Sequence, residues 1–136
     1  MEPVEEKTSR FLLDTHVLLW WLFDDPKLSD LAHKVIQAPD NTILISSASG
    51  WEIATKYRLG KLPHAGEAAH NLPALLRKSH MDVLPITMEH ALAAGALPGP
   101  HRDPFDRMLI AQGQIEGLRI VTSDPVFEQY PVELVW

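Results

Sequence analysis

A three-layer α/β/α sandwich around a central, mostly parallel sheet of about five strands is the fold this sequence predicts. Three observations carry that expectation. Short apolar or β-branched runs alternate with helical segments nearly throughout, the pattern of a parallel sheet covered by helices. The 136 residues suffice for one domain that buries a core without disulfide staples. The composition, 46% apolar and 22% charged, is that of a soluble globular chain.

In chain order, residues 1–9 read as a short N-terminal extension and residues 10–136 as a single domain. "RFLL" at 10–13 is a buried strand ending in Asp14. "THVLLWWLFDDP" and "KLSDLAHKVIQAP" follow as helices, stopped before Pro26 and Pro39. "NTILISS" is the second strand, and "SASGWEIATKYRLG" a helix with Gly60 at its C-terminal end. "GEAAHNLPALLRKSH" reads as a helix broken or restarted near Pro73. "MDVLPIT" is the third strand, "MEHALAAGAL" a helix, and "PGPHR" a stiff loop. "DPFDRMLIAQGQIEG" is a helix, "LRIVT" the fourth strand, and "VELV" the fifth, after a short helix around "DPVFEQ".

Several classes are excluded. The chain has no cysteine, so disulfides and thiolate metal sites are out. "MEPVEEKT" is acidic where a secretory signal would be basic and then apolar, and "VLLWWLF" is too short to span a bilayer. A cytoplasmic, non-membrane protein is the expectation. A net charge of −6, from 18 acids against 12 Lys and Arg, argues against a large nonspecific nucleic-acid surface. It leaves room for a local basic rim around a bound cation.

In parallel sheets the ligand crevice lies beyond the carboxyl ends of the strands, where strand order reverses. Asp14 ends the first strand, Glu52 lies early in the helix after the second, and Asp124 follows the fourth. Asp103 and Asp106 join them if the "PGPHRDP" loop crosses the top of the sheet. Each acid has a plain structural role open to it. Asp14 or Thr15 can cap a helix, and Ser49-x-x-Glu52 matches a capping box. Glu52 can pair with Lys56, while Asp103-Pro104 and Asp124-Pro125 are N-caps with proline at the first helical position. Capping does not require all of them at one end of one sheet. Gathered carboxylates repel unless a cation holds them, and hard oxygen donors without Cys or paired His select Mg²⁺ or Mn²⁺ over zinc. Such an ion activates water and polarises a phosphoryl oxygen, which is hydrolytic chemistry. Most of the seven histidines read as surface residues; His16 and His101, beside Asp14 and Asp103, stand out. Lys56, Arg58, Lys61, Arg102 and Arg107 are either solvated side chains or a narrow rim that guides a phosphate backbone to the metal.

"FLLDTHVLLWWL", "SSASGWEIATKYRLGKL", "HRDPFDRMLIAQ" and "RIVTSDPVFEQYPVELVW", in that order and spacing, resemble a PIN-domain ribonuclease, with the closest similarity to VapC-type toxins of toxin–antitoxin pairs. The resemblance implies a Mg²⁺- or Mn²⁺-dependent endoribonuclease in which a metal-activated water hydrolyses RNA. By position, Asp14, Glu52, Asp106 and Asp124 match the family acids. Asp14 and Asp106 would ligate the metal, with Glu52 and Asp124 holding metal, a water or a second ion. Asp103, Thr15, Thr122 and Ser123 would stand behind them. The resemblance also implies a homodimer and a small cognate antitoxin. Two rivals remain: a non-catalytic binding module on the same fold, and a phosphatase or phosphoacceptor using Asp14. The second lacks the usual acid two residues on, where His16 stands.

Overall fold

The computed structural model describes residues 9–136, so residues 1–8 of the expected extension lie outside the described residues. The strands are β1 (Arg10–Leu13), β2 (Thr42–Ser46), β3 (Asp82–Leu84), β4 (Arg119–Val121) and β5 (Leu134–Val135). The helices are α1 (Thr15–Leu22), α2 (Asp30–Gln37), α3 (Ser47–Arg58), α4 (Gly66–Lys78), α5 (Met88–Ala96) and α6 (Pro104–Glu116), with a 3-10 turn at Pro125–Gln129. All four strand pairings are parallel, in the order β3-β2-β1-β4-β5.

Period-two alternation sorts the side chains onto the two faces. Phe11, Leu13, Ile43, Ile45 and Val121 pack with Val17, Leu18 and Ile53 of α1 and α3. Leu12 and Ile120 face the other way, against Leu109 and Ile110 of α6 and Phe127 of the 3-10 turn. A one-residue slip would turn each strand's side chains to the opposite layer and exchange the partners on both faces, which is why the register is fixed. The "VLLWWLF" helix is mainly core: Val17, Leu18 and Leu19 are buried and only Phe23 is well exposed.

Helix ends follow local chemistry. Ser29 caps α2, Ser46 caps α3 and Asp103 caps α6 through the amides of Phe105 and Asp106. The expected Ser49–Glu52 capping box does not form, because Ser46 caps the helix three residues earlier. Ser49 instead shares a buried 2.8 Å hydrogen bond with Thr15. Helix α4 kinks at Asn71 (φ −138°, ψ 27°), two residues before Pro73, whose missing N–H cannot continue the ladder. Gly117 ends α6 in the left-handed region at φ 67°.

Two further features differ from the sequence reading. His90 is not a surface histidine but is 1% exposed. Its Nδ1 accepts the Thr87 amide at 3.0 Å, so Nε2 carries the proton and donates to Glu116 Oε2 at 2.8 Å, tying α5 to α6. Arg107 is not part of a basic rim. Its guanidinium donates to the carbonyls of Ala94, Gly95, Leu97 and His101, at 3.0, 3.3, 2.6 and 3.0 Å. A planar five-donor fork satisfies the orphan carbonyls at the end of α5 and fastens the 97–101 loop to α6. Replacing Arg107 with Ala should cost on the order of 2–3 kcal/mol in urea unfolding. Lys, with one ammonium and no fork, should recover less than half of that loss.

Candidate acidic site at the strand-order reversal

Strand order reverses at β1, which has β2 on one side and β4 on the other. In parallel sheets a ligand crevice is expected beyond the carboxyl ends of the strands at such a point. Asp14 is the first residue past β1, held by its own amide to the Val121 carbonyl at 3.0 Å. Although it occupies the N-cap position of α1, its side chain makes no cap bond. Asp14 Oδ2 instead accepts the Thr122 hydroxyl at 2.8 Å from the end of β4. The carboxylate is 6% exposed. Burial pushes its pKa above the usual aspartate range and Glu52 adds to the rise, against the Thr122 bond and the charge of His16.

Glu52, 3% exposed, enters from α3. Lys56, one turn on, donates to Oε2 at 2.5 Å, while Oε1 is buried without a hydrogen-bond partner. For Lys56, burial alone would lower the pKa, but the Glu52 bond and charge, with Asp103 and Asp106, raise it. Asp106 arrives on the first turn of α6, where the Arg107-fastened loop has returned the chain. Its Oδ2 lies 3.0 Å from His101 Nε2. Burial and then the Asp103 charge push its pKa up to about 7; the His101 bond opposes this, and Asp14 and Glu52 reinforce it.

Asp14, Glu52, Asp106 and Asp103 thus share one electrostatic neighbourhood, drawn from β1, α3 and the start of α6. Asp124 is exposed, its Oδ1 caps the 3-10 turn through Val126, and its amide donates to the same Thr122 hydroxyl that donates to Asp14. Asp103 serves both as N-cap and as part of the acidic field. Thr122 and Thr15 are buried behind the acids, whereas Ser123 is exposed. Arg58, Lys61 and Arg102 are exposed, and Lys56 is engaged with Glu52. Sequence reasoning missed Ser49, whose burial against Thr15 has no local signature, and Trp51, which is 62% exposed beside Glu52.

Among the described residues, no three His, Asp or Glu side chains are spaced as a ready-made metal cage. The donors nevertheless fit a hard cation. The buried Glu52 Oε1 lacks a partner, the oxygens are carboxylate, and the raised pKa values reflect burial first and like charge second, both of which a cation would offset. Magnesium is ordinarily held by one or two carboxylates, its remaining positions filled by water and phosphate.

Fold and site together define a parallel α/β domain with an acidic pocket at its switch point. The chain belongs to the PIN-domain family, whose model matches residues 11–133. Ribonuclease VapC22 of Mycobacterium tuberculosis is 32% identical over 114 residues, covering 83% of this chain and 85% of that protein. Ribonuclease VapC16 of the same organism is 42% identical over 60 residues, 44% of this chain and 41% of the relative. Among solved structures, VapBC2 from Rickettsia felis, bound to a DNA fragment from its promoter, superposes with a TM-score of 0.67. That match has 20% identity and covers 93% of this chain and 97% of the other. FitAcB from Neisseria gonorrhoeae superposes at 0.61, with 18% identity and coverage of 93% and 96%. At such identities these likenesses concern the fold.

The Asp106 environment has a consequence for stability. The folded state holds the Asp106 proton up to about pH 7, whereas the unfolded chain releases it near 3.8. Between these values the cost of ionising the folded group grows with pH, and above 7 it is complete. Asp106→Asn should therefore raise the metal-free Tm by several degrees at pH 8. That advantage should shrink as pH falls from 7 toward 3.8, as followed by thermal melts across the range.

Proposed function

We propose that this protein is a divalent-metal-dependent endoribonuclease, the toxin of a toxin–antitoxin pair. The observation that carries the reading is the meeting of Asp14, Glu52 and Asp106, from three separated segments, at the strand-order reversal. The two ribonuclease relatives support the activity, and the toxin–antitoxin character of the VapBC2 structure supports the partner.

Asp14 and Asp106 would hold Mg²⁺ or Mn²⁺, with Glu52 Oε1 available as a further donor. Asp124, whose Oδ1 caps the 3-10 turn, would offer its other oxygen as a further donor. When bound, the ion would supply Lewis-acid polarisation of the phosphoryl group and lower the pKa of a nearby water. The chain's own groups do the rest. Thr122 and His101 fix one oxygen each of Asp14 and Asp106, so these carboxylates need little reorganisation when substrate arrives. Lys56 keeps Glu52 oriented toward the pocket. In hydrolysis the water oxygen bonds to phosphorus as one bridging P–O bond breaks. A carboxylate oxygen of the cluster takes the water's proton, and the leaving oxygen takes a proton from a solvent water. Arg58, Lys61 and Arg102 are the exposed cations available to an RNA backbone. We further place the protein in the cytoplasm, as a homodimer held in check by a small antitoxin, with residues 10–136 as its one domain. No described helix is long and apolar enough to cross a membrane.

Purified protein incubated with RNA and Mg²⁺ or Mn²⁺ should cut internally. Asp14→Asn and Asp106→Asn should each lower the rate at least a hundredfold while leaving the circular-dichroism spectrum intact; unchanged cleavage in both would end the reading. In a parallel titration, Mn²⁺ should raise the Tm of the native chain and leave that of Asp14→Asn nearly unmoved.

A further inference from the structure

A cleft of about 340 Å³ lies between the N-terminal parts of α3 and α6 and one side of α5. Small residues of α5, Ala91, Ala94 and Gly95, form one wall, and Trp51 and Phe105 another, with Arg102 also in the lining. Trp51 and Phe105 immediately precede Glu52 and Asp106, so each aromatic is the chain neighbour of a pocket acid. Their rings meet edge-to-face, with centroids 5.0 Å apart and planes at 81°. That contact holds the indole in place while leaving Trp51 62% exposed, an unusual amount for so large an apolar side chain.

Resting on the ribonuclease reading, we propose that this cleft seats one unpaired nucleobase of the RNA, stacked on Trp51, next to the phosphodiester that the acids receive. A flat aromatic face offers stacking to any base, and a cleft at the small end of ligand-site volumes suits a single planar ring. The acids do not line the cleft; its link to them is that Trp51 and Phe105 in its wall are followed directly in the chain by Glu52 and Asp106. Arg102 adds a cation, itself able to stack on a base or pair with its phosphate. The seat would select single-stranded RNA, because a paired base cannot enter it.

The test uses Trp51→Ala, Trp51→Phe and Gly95→Leu on a random pool of short single-stranded oligoribonucleotides, with sequencing of the cut ends. A Cβ at Gly95 meets nothing within 4 Å, so Leu there fills the cleft without a backbone clash and raises helix propensity. Trp51→Ala and Gly95→Leu should each lower kcat/KM roughly tenfold or more, mainly through KM, with melting temperatures preserved. Both should flatten a base preference beside the cut, and Trp51→Phe should keep most of each property. In the cleavage-deficient Asp106→Asn background, the same pool should quench tryptophan fluorescence, and adding Trp51→Phe should remove that quench. Unchanged kcat/KM and base preference in Trp51→Ala and Gly95→Leu, with Asp106→Asn inactive, would overturn the seat and leave the ribonuclease standing. Loss of a dimer in sedimentation on either substitution, without change in the RNA-dependent quench, would assign the face to a second copy and overturn the proposal. No cleavage and no quench by the native chain would remove both readings.

Discussion

Like charges brought out of water at one point are the constraint around which this molecule is arranged. Asp14 and Glu52 are almost wholly buried and Asp106 largely so, and the raised pKa values of Asp14 and Asp106 register the strain. Partial compensation is built in: a hydroxyl for Asp14, an imidazole for Asp106 and an ammonium for Glu52. None of these cancels the field, and Glu52 Oε1 is left without a bond. A fold made only for stability would replace such a cluster with apolar side chains, which are as good or better at filling buried space. That uncompensated charge is the observation on which the proposed metal chemistry rests.

The cluster exists because the path from α5 to α6 is controlled. Residues 97–103 contain two prolines and a glycine at φ 96°, and such a loop left to itself would not specify where α6 begins. Arg107 settles the matter by reaching back from α6 to four carbonyls on and after α5. The His90–Glu116 bond holds the same two helices together further along. A side chain that reads in sequence as a site cation is therefore a fastener. Its charge is spent on backbone carbonyls, and the residue preceding it, Asp106, is the one thereby delivered to the pocket.

Much of the architecture was legible because each strand is a short apolar run and each helix carries its stop signal. Proline, glycine and cap residues marked the boundaries to within a few positions. Asp14, Glu52 and Asp106 were legible as partners through the rule that parallel sheets open beyond their strand ends. What lay hidden was side-chain direction. The sequence offers Asp124 a cap or a place among the acids, and the structure turns it to the cap. Ser49 suits a capping box, yet Ser46 takes the cap and Ser49 turns to Thr15. His90 has the type of a surface residue, and only the approach of α6 gives it Glu116 and reason to be buried. Such choices depend on tertiary neighbours that no local pattern contains.

The sheet's two margins bear on how anything larger can be assembled from this chain. β3 offers three residues and is followed at once by Pro85, while β5 offers two and lies shortly after Pro131. Margins so brief, with proline close by, give a foreign strand almost no backbone to zip onto. Assembly has to proceed through the outer surfaces of the helices, where recognition is written in side chains and can be made specific to one companion.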